Sequence, residues 1–347
     1  MRVAAYADLG RLDVVDVPDP VLTAGDALVE VAACGVCGSD LESLRHGSNV
    51  TPGQVMGHEI GGRVLDAGGA PGLSAGDVVA VRPLLACGEC PSCLRGQRQL
   101  CERGLINGLG YGLPGGFAER LRVPNAARGV NVFVLPPDLD PALAALVEPL
   151  AVSLRGAKQA EVTSGDVVVV FGLGQIGLGA LVLARLLGAA QVVGVDPSPL
   201  RREAALAAGA TTVVDPLVTK VEHAVRELTG AGPYGLGAAA DCAVECSGVP
   251  SSFTAAVKSL RPGGRLSLVA HSREPFAVKS GRIVEKEIRV QGSFAYNDEM
   301  QEVADLIGEG RLQLTPFVSH RKSLSDITAA FALQGNAAES LKVLVQP

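Results

Sequence analysis

Asp166-Val167-Val168-Val169-Val170-Phe171-Gly172-Leu173-Gly174-Gln175-Ile176-Gly177 is the stretch that decides the fold. A run of β-branched apolar residues predicts a buried strand, and the glycines after it predict a tight turn opening a helix. Gly172 permits the turn, Gly174 lets a pyrophosphate approach the backbone, and Gly177 lets the helix pack closely on the strand. Free N–H groups at the helix start, around Gln175 and Ile176, would then face the phosphates. The next apolar run, Gln191 to Asp196, ends in an acid 24 residues after Gly172. A carboxylate there accepts hydrogen bonds from ribose hydroxyls and repels a 2′-phosphate, so NAD is expected over NADP. Arg201 and Arg202 lie close by, Arg201 is placed with the cofactor-binding set, and the pair leaves NADP open. The bland alternative is that the glycines serve packing and Asp196 caps the next helix.

Outward from this motif the chain keeps alternating. Val167–Phe171, Gln191–Asp196, Thr212–Asp215, Cys242–Cys246 and Arg265–Ala270 read as strands. Ile176–Leu187, Leu200–Ala208, Val221–Leu228 and Ser251–Leu260 read as helices. Strands alternating with helices predict an α/β fold with a doubly wound parallel sheet. The alternation fails on both sides. Before about residue 150, short alternating strands such as Asp26–Ala32, Gly61–Asp66 and Asp77–Val81 are punctuated by Gly and Pro. After Gly292, two helices (Asp298–Ile307 and Ser325–Leu333) and short strands near Phe317 and at Leu341–Val345 are expected. The expected domains are 1–150, 151–292 and a return segment, 293–347.

With 347 residues, about two domains fit. The 48% hydrophobic content suffices for a large core, and a formal charge of -6 argues against nucleic-acid and anionic-membrane partners. The start of the chain carries Asp8 where a signal peptide would be apolar. The 18 uncharged residues from Val167 to Ala184 are broken by four glycines, which suits a strand, turn and helix better than a membrane span. A cytoplasmic protein is expected.

Eight cysteines occur, and in a chain of this size clustered cysteines point to metal before disulfides. Cys87, Cys90, Cys93 and Cys101 form two CxxC steps and a fourth thiol. Four thiolates make a closed zinc site that holds a loop and does no chemistry. A second set is dispersed: Cys37 in Gly-Val-Cys-Gly-Ser-Asp, His58 in Gly-His-Glu and Glu148 in Val-Glu-Pro-Leu. A thiolate, an imidazole and a carboxylate, with water in a fourth place, meet the needs of a catalytic zinc. Taken singly, each has a structural explanation, and spacing does not bring them together.

In this order, these motifs resemble the zinc-dependent medium-chain alcohol dehydrogenase family, over essentially the whole chain. The resemblance implies a GroES-like β-rich catalytic domain beside a Rossmann domain, with nicotinamide and catalytic zinc in the cleft between them. It implies Cys37, His58 and Glu148 as ligands of the catalytic zinc, with Glu59 replacing or exchanging with Glu148. Asp40 would orient His58, Ser39 would touch the substrate oxygen and start a proton relay, and Lys342 would lie near the coenzyme phosphates. Two zinc ions per chain, NAD and a homodimer or homotetramer follow from the same likeness. The implied reaction is hydride transfer between NAD and a secondary alcohol, diol, polyol or aminocyclitol, alcohol to ketone and reversible.

Three departures narrow the likeness. Glu42 stands where relatives often carry a relay histidine. Ala295 stands where sorbitol dehydrogenases often carry an arginine. The four-cysteine loop, absent from animal sorbitol enzymes, brings the chain nearer to bacterial butanediol, threonine and aminocyclitol dehydrogenases. Cys34, Cys242 and Cys246 read as packing residues, and the loop from Asn107 to Gly116 as a plain loop. His46, His223, His271 and His320 receive no role. The rival readings are a zinc-free NADPH quinone or enoyl reductase and a non-catalytic NAD-binding protein with structural zinc alone.

Overall fold

Apolar side chains recur at every second position of Ala27–Gly35, so one face of that strand is buried and the other is wetter. In the computed structural model, which describes residues 1–230, 239–277 and 279–347, this strand lies central to a mostly antiparallel sheet. The sheet runs Val318–Ser323, Lys342–Gln346, Ala27–Gly35, Glu59–Asp66, Val78–Val81, Val132–Val134, and Arg120–Val123 also pairs with Ala27–Gly35. A hairpin of Arg2–Asp8 and Arg11–Asp16 adds a small second sheet that the sequence pattern does not announce. The core under the larger sheet gathers Val29, Val31, Ile60, Val79, Phe117 and Val343.

The chain divides into two units, Met1–Ala151 with Tyr296–Pro347, and Val152–Ala295. The first unit therefore needs residues from both ends of the sequence. The strand Lys342–Gln346 pairs antiparallel with Ala27–Gly35, setting Leu344 opposite Gly35 and Val345 opposite Cys34.

The second unit is built on a six-stranded parallel sheet among the described residues. Its order is Thr212–Val214, Gln191–Val195, Val167–Phe171, Ala240–Glu245, Leu260–Leu268, Arg289–Gly292. Numbered along the unit, that is 3-2-1-4-5-6, the doubly wound order of dinucleotide-binding folds. Consecutive valines make the inner strands buried on both faces, as a parallel sheet under helices requires. The order reverses between Val167–Phe171 and Ala240–Glu245, which is where such sheets bind ligands. The uncharged stretch 167–184 forms a strand and part of the helix Gln175–Leu186. Among the described residues, no helix is long and apolar enough to cross a membrane.

Candidate functional site

Cys37 follows the central strand and caps the helix Gly38–His46 in an extended conformation. Three residues on, Asp40 turns back: its Oδ2 accepts the Cys37 N–H at 2.9 Å, and its Oδ1 lies 3.4 Å from His58 Nδ1. A buried carboxylate on Nδ1 fixes the ring and leaves Nε2 as the donor toward a metal. Burial opposes a charged ring at His58, but Tyr111 and Asp40 outweigh it and hold the pKa above the ordinary value. Ser39 Oγ stands 3.4 Å from His58 Nε2. One ligand atom each from Cys37, His58 and Glu59 lie within 4.8 Å of one another. That donor set, one sulfur, one nitrogen and one oxygen, fits zinc.

The third ligand type in this group is the carboxylate of Glu59. Glu148 stands in the first turn of the helix Val147–Gln159, after a buried 3-10 turn at Pro141–Leu146. Pro149 sits at the third helical position, where its missing N–H costs no bond. Glu148 is buried, which pushes its pKa up to about 7, and His58, Glu59, Lys342 and Tyr296 are its electrostatic neighbours. It adjoins the group without belonging to it.

Lys342 corrects an expectation. The resemblance puts it near coenzyme phosphates; instead it is 2% exposed and saturated within the first unit. Its Nζ donates to Val36 O at 2.9 Å and to Glu59 Oε1 and Oε2 at 2.7 and 2.6 Å. An ammonium has three protons, and all three are used. Glu42, the candidate relay substitute, is half exposed, with His46 Nε2 at 3.9 Å.

The glycine-rich segment 107–116 is more than a plain loop. Gly57 has φ +93°, and a Cβ there would collide with Cys34 and Phe117. Gly110, at φ +82°, and Gly115 lie against the Gly57 backbone where no side chain fits. This close packing carries Tyr111 onto His58, with ring centroids 5.1 Å apart. Burial pushes the Tyr111 phenol up to about 12, and its hydroxyl is hydrogen-bonded with Ser39. Sequence reasoning missed Tyr111, Tyr296 and Arg82; a single aromatic inside a glycine run was the one signal for the first.

The other cysteines also assemble. One sulfur each from Cys87, Cys90, Cys93 and Cys101 lie within 4.8 Å of one another. Cys87 Sγ is 4.0 Å from Cys93 Sγ, close to the roughly 3.8 Å edge of a tetrahedron with Zn–S of about 2.3 Å. The Cys87 N–H donates to Cys101 Sγ at 3.2 Å and the Cys90 N–H to Cys87 Sγ at 3.4 Å. Backbone donors hold the Cys87 thiol below its ordinary pKa and bring Cys90 to about 6, which favours thiolates at those two positions, while burial pushes Cys93 up to about 12.

In the second unit, Gly172 has φ +79°, and a Cβ there would press on Ser247 across the switch point. A Cβ on Gly177 would fall on the Gly172 carbonyl. Gly174 caps the helix and faces the Arg201 guanidinium. Gln175 is buried, and neither of its side-chain polar atoms has a hydrogen-bond partner among the described residues. Orphaned buried donors and acceptors at a helix start suit a phosphate-bearing ligand. Ile176 O accepts a 2.9 Å bond from Ser153 Oγ, which anchors the first turn. Asp196 accepts from Leu173 N at 2.7 Å and Ser198 N at 2.8 Å, with Arg201 at 3.9 Å.

Comparison with known proteins gives these sites a context. Residues 23–133 match the family model of the alcohol dehydrogenase GroES-like domain, and residues 176–309 that of the zinc-binding dehydrogenases. L-threonine 3-dehydrogenase of Streptomyces coelicolor is 36% identical over 91% of this chain and 91% of its own length. The chain belongs to the zinc-dependent medium-chain alcohol and polyol dehydrogenases. Among solved structures, 2R,3R-butanediol dehydrogenase of Bacillus subtilis matches at 29% identity with TM-score 0.87, covering 100% of this chain and 99% of that one. A Sinorhizobium meliloti 1021 protein crystallised with NADP matches at 32% identity with TM-score 0.90, over 100% of this chain and 99% of that one. As a member, this dehydrogenase is a zinc-dependent alcohol or polyol oxidoreductase using a nicotinamide cofactor.

Proposed function

We propose that the protein oxidises a secondary alcohol, diol, polyol or aminocyclitol to the ketone, reversibly, with NAD as hydride acceptor. The observation that carries this reading is the convergence of Cys37, His58 and Glu59, with Ser39 against His58 and the buried Glu148 adjoining. Zinc held by Cys37, His58 and a carboxylate, Glu59 or Glu148, would act as a Lewis acid on the substrate hydroxyl while the nicotinamide takes the hydride. Asp40 keeps His58 in the tautomer that presents Nε2. Ser39 Oγ, hydrogen-bonded with the Tyr111 phenol, takes the hydroxyl proton and passes it outward. Lys342 holds the buried Glu59 carboxylate in place through both of its oxygens.

The preference for NAD rests on Asp196. Its carboxylate is pinned by two backbone donors at the end of the second strand, where it faces ribose hydroxyls and disfavours a 2′-phosphate. Arg202 does not offset this, because it is engaged with Asp196 O at 2.7 Å and Asp215 at 3.1 Å. A second zinc at the four cysteines is proposed as structural. A cytoplasmic location and a homo-oligomer complete the reading, the second supported by the exposed edge strand Arg289–Gly292.

The experiment is metal analysis joined to an absorbance assay of NADH formation across diols, polyols and aminocyclitols. Two zinc ions per chain and activity lost in Cys37→Ser, with NADH binding retained, are expected. One zinc per chain, or a fully active Cys37→Ser, would refute the assignment and favour a non-catalytic binder.

A further inference from the structure

A short strap, Tyr296–Glu299, runs between the two metal-type clusters of the first unit. At one end Tyr296 is 2% exposed, and its hydroxyl lies beside Glu148 without closing a hydrogen bond of ordinary geometry. A buried phenol in so loose a contact with one carboxylate keeps its proton available to a second acceptor. Next to it, Asn297 Nδ2 donates to Gly96 O at 2.9 Å, and Arg98 lies 3.7 Å from Asp298. Gly96 belongs to the four-cysteine lobe: its N–H is bonded to Cys93 O at 2.9 Å. From the sheet side, buried Arg82 donates to Asn297 O at 2.6 Å and stands 5.9 Å from the Tyr296 ring centroid. Asn297 N–H is bonded to Glu299 Oε2 at 2.6 Å, which closes the turn. Ala295, just before the strap, is held at φ +47°, a conformation that a non-glycine residue keeps only when its surroundings impose it.

We propose that Asn297 is a positioning residue through which the four-cysteine lobe sets the place of Tyr296 beside Glu148. The lobe then does more than stiffen a loop: it fixes a hydrogen-bond donor beside Glu148 for the second hydroxyl of a diol or polyol. The inference rests on reading Cys37, His58 and the nearby carboxylates as the alcohol site. A displacement of about 1 Å at such a donor is enough to weaken substrate placement.

The test is a double-mutant cycle of Asn297→Ala with Tyr296→Phe, alongside Arg103→Ala, which breaks an exposed pair with Glu89 inside the lobe and leaves the strap alone. Asn297→Ala is expected to raise KM for a diol by about three- to tenfold with a smaller change in kcat, the worth of one hydrogen bond. That effect disappears in the Tyr296→Phe background, and Arg103→Ala stays at the wild-type KM. The chain has four tyrosines and no tryptophan, so near-ultraviolet circular dichroism gives a second readout that needs neither metal nor turnover. The Tyr296 contribution, assigned from Tyr296→Phe, is expected to change in Asn297→Ala. Equal KM effects in both backgrounds, or an unaltered Tyr296 signal, would overturn the proposal. If Asn297→Ala does not fold, Arg98→Ala loosens the same strap at its surface and takes its place in the cycle. A wild-type enzyme inactive on every alcohol sinks the reading of the site, while the dichroism still decides the strap.

Discussion

Lys342 grips both carboxylate oxygens of Glu59, at 2.7 and 2.6 Å, with both side chains all but sealed from solvent. The pair joins the strand Lys342–Gln346 to the start of the strand Glu59–Asp66, next to His58. Removing one partner leaves an uncompensated buried charge, which costs far more than an exposed pair would. Lys342→Met is expected to lower stability by about 3–5 kcal/mol in denaturant unfolding. A loss below about 1 kcal/mol would mean that water or another cation reaches Glu59.

The four-cysteine lobe lies in the first unit and the glycine turn in the second. Cys93→Ser is therefore expected to remove one zinc ion per chain and to expose the segment around residues 87–101 to protease. NADH affinity, measured by fluorescence titration, should stay within about twofold, since the helix-start site is built separately. A tenfold loss of NADH binding would contradict that separation.

On the proposed reading, cofactor choice is concentrated at Asp196. Asp196→Asn keeps an acceptor for Leu173 N or Ser198 N but removes the charge that repels a 2′-phosphate. The ratio of kcat/KM for NAD over NADP should fall by about tenfold or more, the worth of a charged hydrogen bond. An unchanged ratio would transfer the discrimination to Arg201 or elsewhere.

Asp26 supplies the acid limit of stability. Burial would raise its pKa, but bonds from Thr23 N at 2.8 Å, Thr23 Oγ1 and Arg122 Nε at 2.6 Å, and Asn125 N at 3.1 Å hold it far below the ordinary value. A depressed folded-state pKa means that the unfolded chain binds the proton more tightly. The contribution is complete above the unfolded value, near pH 3.8, and drains away as pH falls below it. Asp26→Asn should cost about 1–3 kcal/mol at pH 7, and the gap from wild type should close toward pH 2. A gap independent of pH would show that the carboxylate charge is irrelevant.

Much of this was legible in residue order. The valine run with its glycines identifies the nucleotide unit, because a parallel sheet leaves so direct an imprint: apolar strands, a turn that only glycine can make, and an acid at the next strand end. The four-cysteine lobe was equally plain, since its ligands are local. The gathering of Cys37, His58 and Glu59 was legible only through the resemblance, because Cys37, Glu59 and Lys342 meet through sheet pairing across some 300 residues. Lys342 shows the limit. Motif position suggested a phosphate contact, but a lysine on a buried strand, two residues before the Leu344 that pairs with Gly35, turns to the buried carboxylate of Glu59. Tyr111 escaped for a related reason: its partner is chosen by the close approach of Gly110 and Gly115 to Gly57, a backbone contact with no periodic signature.

The pairing of Lys342–Gln346 with Ala27–Gly35 has a consequence for biosynthesis. A growing chain can finish the parallel sheet once residue 292 has emerged from the ribosome. The β-rich unit must wait about fifty residues more, with Cys37 and His58 already made and still exposed as thiol and imidazole to stray metals and oxidants. The nucleotide-binding half is thus ready to fold first, and maturation of the metal centre waits for the strand Lys342–Gln346.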